Sequence, residues 1–132
     1  MRKLVLFIAF LIPICLLGIG SFAEQVEVFT ASDTLLQDEF SKTCIVTGSG
    51  ITMTLMEAEG TRGRVTFVNG TENTFSIDPN GTDHILFTTC TQGDQITSPT
   101  GATSTGACVT LIDYADGIWG VVGMNGTFTD GD

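Results

Sequence analysis

One histidine, four cysteines and fifteen carboxylates are the side chains through which this 132-residue chain could do acid–base, nucleophilic or metal chemistry. His84 follows Asp83, and the two are partners that a Ser-His-Asp constellation needs. Neighbouring residues of a strand point to opposite faces, so Asp83 is badly placed to orient His84. No Gly-x-Ser-x-Gly turn supplies the serine. Cys90 stands six residues beyond His84, at the far end of the same expected strand, which is no arrangement for a Cys-His nucleophile. Glu57 and Glu59 are residues a glycosidase pair would use, but they share a charged, glycine-bearing stretch with Thr61, Arg62 and Gly63 that reads as a solvent loop. The sequence therefore implies no catalytic residues and no enzyme.

Two further constellations concern binding. Asp78, Asn80 and Asp83, within D-P-N-G-T-D, concentrate oxygen ligands in one turn. Calcium is the cation such a set would take. The turn has neither the ligand order of an EF-hand loop nor its closing glutamate, and a plain Asx-type turn accounts for the same residues. No other cofactor is implied. Trp119 and Tyr114 offer an aromatic platform for a sugar, with core or subunit packing as the competing use.

The elements that must carry these residues are strands. Residues 107–124, ACVTLIDYADGIWGVVGM, read as two strands joined by a tight turn at Asp116-Gly117. A turn centred there sets Ala115 opposite Ile118, Tyr114 opposite Trp119, Ile112 opposite Val121 and Leu111 opposite Val122. One face then carries Tyr114, Trp119, Ile112 and Val121. The other carries Val109, Leu111, Ile118, Val122 and Met124, with Asp113 its one charge. Two apolar faces predict a hairpin covered on both sides, by the rest of the chain or by a second copy.

Upstream, residues 24–30, 34–36, 43–47, 51–55, 64–69, 74–78 and 84–89 read as short extended segments. Ile51, Met53 and Leu55 alternate with Thr52 and Thr54, the pattern of a half-buried strand. Residues 37–41 make one helical turn that carries Phe40 inward, and residues 94–96 a short edge strand. Gly48-Ser49-Gly50, Asn69-Gly70 and Pro79-Asn80-Gly81 are turn signals. Short strands at regular spacing, glycine-rich turns and no long helical period predict an all-β domain. A compact antiparallel sandwich, barrel or jelly-roll-like fold is the expected closure. Asn-Gly-Thr recurs at Asn69, Asn80 and Asn125. The flanking residues differ and the spacing is uneven, so these read as turns and not as a repeat architecture. Each is also a formal N-glycosylation sequon, which matters in a eukaryotic secretory pathway.

Residues 1–23 read as a signal peptide. Arg2 and Lys3 precede an apolar run, residues 4–20, broken only by Pro13, and Ser21-Phe22-Ala23 forms a small-x-small cleavage site. A retained anchor is the alternative, since the run is about long enough for a thin bilayer. Pro13, Gly18, Gly20 and the cleavage motif favour removal of this signal helix, leaving residues 24–132 as a single β domain with no stable membrane insertion. The mature chain then holds three basic residues, Lys42, Arg62 and Arg64, against fifteen acidic ones, a formal charge of −12. Such a surface repels nucleic-acid phosphates and has no pull toward anionic lipid. Export places the protein in the medium, at the cell surface or in the periplasm. It also permits a disulfide among Cys44, Cys90 and Cys108. A Cys90–Cys108 bond would close the polar excursion between them and contribute about 3 kcal/mol in the chain-entropy model. Cys44–Cys90 and Cys44–Cys108 stay open, and the thiol left over is either a buried small hydrophobe or an intermolecular partner.

The run I-D-P-N-G-T-D-H-I-L at residues 77–86 resembles a segment of small β domains in phage tail-fibre and virion-associated proteins. So does the ending V-T-L-I-D-Y-A-D-G-I-W-G-V-V-G-M-N-G-T-F-T-D-G at residues 109–131, and so does Thr34-Leu35 with the later Glu39 and Lys42. The resemblance implies a β-structural module that assembles, typically as trimers, without enzyme activity. A signal peptide and the lack of a long fibre shaft point to an exported, phage-related surface or extracellular protein. The expectation is thus a secreted, non-catalytic structural or adhesive module that forms homo-oligomers or meets another surface protein. Its rival is a carbohydrate-binding module that meets a surface glycan through Trp119 or Tyr114.

Overall fold

The computed structural model describes residues 25–87, 91 and 93–131. The expected signal peptide, residues 1–23, and Cys90 lie outside the described residues. The first part of the chain lays down β1 (Gln25–Phe29), β2 (Asp33–Thr34), a 3-10 turn (Gln37–Glu39), β3 (Lys42–Val46) and β4 (Ile51–Thr54). Then come β5 (Arg64–Asn69), β6 (Phe75–Asp78), β7 (His84–Leu86) and β8 (Ile96–Thr97). The chain ends with β9 (Cys108–Ala115), β10 (Ile118–Asn125) and β11 (Thr129–Asp130). The fold is all-β, as its alternating β-branched and aromatic stretches predict.

These strands form a six-stranded sheet, ordered β1-β3-β5-β9-β10-β7, and a five-stranded sheet, ordered β11-β8-β6-β4-β2. The expected antiparallel architecture is corrected here, because both sheets are mixed. From β1 to β6 the chain changes sheet after every strand, so β1, β2, β3 and β4 each pair with the strand two positions later. β1, β3 and β5 are mutually parallel, and so are β2, β4 and β6. Antiparallel pairing is confined to the later strands, where β9 lies between β5 and β10, and β8 between β6 and β11. The expected edge strand near Ile96 is therefore flanked on both sides. β7 runs parallel to β10 at the sheet's far edge.

The physical reason lies in the turns. Gly48 and Gly70 stand at corners between sheets, not at the tips of hairpins. Thr47 N donates to Phe29 O (2.9 Å) and Gly70 N donates to Val46 O (2.8 Å), so each corner is bonded to the one before it. A Cβ on Gly48 would lie 2.7 Å from Thr30 O, and one on Gly70 would lie 2.8 Å from Ile45 Cγ2. Glycine allows the corners to stack this closely.

One apolar core lies between the sheets. Cys44, Val46, Val65, Phe67, Val109 and Leu111 come from the six-stranded sheet, and Ile51, Met53, Phe75, Ile77 and Ile96 from the other. The Phe67 and Phe75 rings meet across the layers at 6.3 Å between centroids, and Phe128 stands edge-on to Phe75. Burying each large side chain contributes roughly 1.5–3 kcal/mol.

The β9–β10 hairpin forms at the expected turn, with Ala115 opposite Ile118. Beyond that pair, its expected register is corrected. Bulges leave Tyr114 and Val122 without direct partners, so Trp119 faces Asp113, Gly120 faces Ile112 and Val121 faces Leu111. One extra residue on one strand exchanges faces beyond it. Trp119 therefore joins Val109, Leu111 and Asp113 on the buried side, while Tyr114 and Val122 are exposed. Within one chain only one face of the hairpin is covered.

Candidate functional site

Four of the residues singled out by type, Trp119, Tyr114, Asp83 and Asp113, come together where the loop of residues 56–63 wraps the β9–β10 turn. Phe40, carried inward by the 3-10 turn as expected, meets the Trp119 ring edge-on at 5.9 Å. Gly63 leaves room for the Phe40 ring, against which any Cβ would collide. Trp119 is 0% exposed and its Nε1 donates to Met56 O (3.3 Å). Its expected alternative use as a surface sugar platform is thereby corrected, because no face of the indole reaches solvent. Tyr114 is 48% exposed, but the Arg62 guanidinium lies over its ring, 4.7 Å from the centroid.

Two buried carboxylates hold this loop. Asp113 Oδ1 accepts from Gly60 N (2.6 Å), and its Oδ2 accepts from Thr61 N (2.8 Å) and Thr61 Oγ1 (2.6 Å). Its main chain adds two bonds, Asp113 N to Gly63 O (2.9 Å) and Arg62 N to Asp113 O (3.0 Å). Burial raises the Asp113 pKa, but the hydrogen bonds from Thr61, Gly60 and Glu59 outweigh it and hold the carboxyl below its ordinary value. Asp83 Oδ2 accepts from Ala58 N (2.7 Å), while Gly117 N donates to Ala58 O (2.9 Å) and His84 N to Gly117 O (2.9 Å). Both carboxylates accept from main-chain nitrogens of the loop and so fix its backbone against the hairpin. The one signal in the sequence for this clamp was Asp113, a lone charge in an apolar strand.

Asp83 turns into the interior and His84 is half-buried on the adjacent position of β7, so the two diverge. Asp78 is half-buried, and its burial raises its pKa. It lines an open cavity of about 240 Å³ with Gly93, Asp94, Gln95 and Gly131. Asp94 is already engaged, for hydrogen bonds from Thr91 N (2.6 Å) and Thr91 Oγ1 (2.7 Å) hold its carboxyl below the ordinary value. Asn80 is exposed at the intervening turn. Of the expected calcium ligands, Asp83 thus spends one oxygen on Ala58 N. Among the described residues no group of three or more His, Cys, Asp or Glu side chains is placed to hold a metal ion.

Cys44 and Cys108 carry free thiols. The expected Cys90–Cys108 bond involves Cys90, which lies outside the described residues. Cys44 is buried, and burial, with the nearby charges of Glu39 and Glu27, pushes its thiol up to about 12. Cys108 is half-buried on the opposite, outer face of the sheet. No family model matches the chain, and no curated protein matches it.

Proposed function

We propose that the exported chain is a non-catalytic structural or adhesive β module that assembles into homo-oligomers through the outer face of its six-stranded sheet. The observation that carries this reading is the apolar surface that face turns to solvent. Val28, Ile45, Val68 and Cys108 lie side by side across β1, β3, β5 and β9. Val28 is 58% exposed, and the other three are half-buried. Val26, Leu86, Tyr114 and Val122 are exposed on the same sheet. A threonine row, Thr43, Thr66 and Thr110, runs beside this apolar row on the same face, and an exposed apolar row on a sheet marks an interaction face on a soluble protein. Six strands about 4.8 Å apart and about five residues long present a face of roughly 400 Å². That is about half of one partner's share in a standard interface, which favours reversible, micromolar association strengthened by multiple copies.

The resemblance of residues 77–86 and 109–131 to phage tail-fibre and virion-associated modules supports the same reading. So do the signal-peptide features of residues 1–23, which assign the protein to the medium, the cell surface or the periplasm, with virion association as the phage-like variant. The shared core favours two sheets closed as a compact sandwich. A carbohydrate-binding role would rest on Tyr114 alone, one face of which Arg62 already occupies. Sedimentation velocity of the mature chain across micromolar concentrations tests the proposal. The expected result is reversible association, weakened by Val28→Glu and Val68→Lys with unchanged circular dichroism. A monomer at every concentration overturns it.

A further inference from the structure

The three Asn-Gly-Thr motifs occupy three different environments, and from these we infer that Asn80 is a site of spontaneous covalent modification while Asn69 is protected. The reaction is intramolecular. The backbone nitrogen of the following glycine attacks the asparagine Cγ, a C–N bond forms, the Cγ–Nδ2 bond breaks, and the nitrogen's proton leaves with the amide as ammonia. Water then opens the five-membered succinimide at either carbonyl, giving aspartate or isoaspartate. Asparagine and water are thereby converted to a carboxyl group and ammonia, with no oxidant or reductant. Reaction requires a side chain free to swing back over the main chain and a following nitrogen free to attack.

Asn69 has neither freedom. It is 1% exposed, its Nδ2 donates to Asn73 O (2.7 Å) and Ser98 Oγ (3.2 Å), and its Oδ1 accepts from Thr71 N (3.1 Å). The attacking atom, Gly70 N, is engaged with Val46 O (2.8 Å). Asn80 is exposed, and among the described residues its side chain makes no hydrogen bond and no carbonyl accepts from Gly81 N. Gly81 has φ +58 and open space around it, within the turn closed by Asp83 N donating to Asn80 O (2.9 Å). Asn125 lies between these extremes. Its side chain is exposed, but its backbone pairs with Cys108 and Gly126 packs against Ala107. The order of reactivity is therefore Asn80, then Asn125, then Asn69. Modification at Asn80 adds a carboxylate between Asp78 and Asp83, in the turn that already holds the chain's candidate cation ligands.

The test is incubation of the purified secreted chain in mildly alkaline buffer, followed by peptide mapping for isoaspartate and for the amide-to-acid mass change at each asparagine. In the native chain Asn80 is expected to convert fastest and Asn69 at least about tenfold more slowly, because Asn69 reacts only through local opening. In concentrated urea the three rates should converge, which separates the effect of the fold from that of local sequence. Equal native rates at Asn69 and Asn80, or an Asn69 rate unchanged by urea, overturn the inference.

Discussion

Replacing Asp113 with asparagine keeps the side chain's shape and removes the charge that draws the loop of residues 56–63 onto the hairpin. In the native chain three donors, Gly60 N, Thr61 N and Thr61 Oγ1, converge on this carboxylate at 2.6–2.8 Å. Hydrogen bonds to a charged acceptor contribute about 1.5–3 kcal/mol each. An amide retains one acceptor oxygen but turns an N–H₂ group toward a donor, so Asp113→Asn is expected to cost about 2–4 kcal/mol at neutral pH. For a domain of this size that lowers Tm by roughly 10–20 °C. The pH dependence carries the sign. The folded carboxyl lies below its ordinary value of 3.8, so its stabilisation is present above that value and disappears as pH falls through the folded pKa. Urea denaturation of both chains at pH 7 and near pH 3 is the assay, read as the difference in unfolding free energy at constant m-value. The gap should be wide at pH 7 and narrow in acid. Equal stabilities at pH 7, or a gap of the same size at both pH values, would refute the clamp.

Trp119, the chain's one tryptophan, should emit at short wavelength and resist acrylamide quenching, and Trp119→Ala should cost about 3–5 kcal/mol in the same denaturation assay. Tyr114→Ala, by contrast, removes an exposed cation–π contact and should cost at most about 1 kcal/mol. A maleimide followed by peptide mapping of the reduced native chain should modify Cys108 well before Cys44, whose thiol is buried and held up to about 12, with urea abolishing the difference.

Much of the fold is legible strand by strand. Ile51, Met53 and Leu55 face inward as their alternation with threonine predicts, and so do Val65 with Phe67 and Phe75 with Ile77. Phe40 likewise reaches the core from its short turn. The winding was not legible, because Asn69-Gly70 carries the same residues whether it tips a hairpin or turns a corner between sheets. Nor does a period betray it. Gln25 pairs with Lys42 while Thr43 pairs with Thr66, offsets of 17 and 23 residues, so successive windings are of unequal length. The candidate site was half legible. Asp113 stood out as a charge among apolar residues, but Gly60 and Thr61, which supply its donors, lie more than fifty positions away.

The amino-acid order alone determined where strands form and which side of most of them is apolar, because the two-residue alternation of a strand is a local property. Tertiary structure decided which strands pair and in which sense. It also decided which aromatic stays wet, since a single unpaired residue in β9 sends Trp119 inward and leaves Tyr114 outside. The same division governs the three Asn-Gly-Thr motifs. They are identical in sequence, and their different fates follow from whether the surrounding backbone takes up the amide and the next nitrogen or leaves them to solvent.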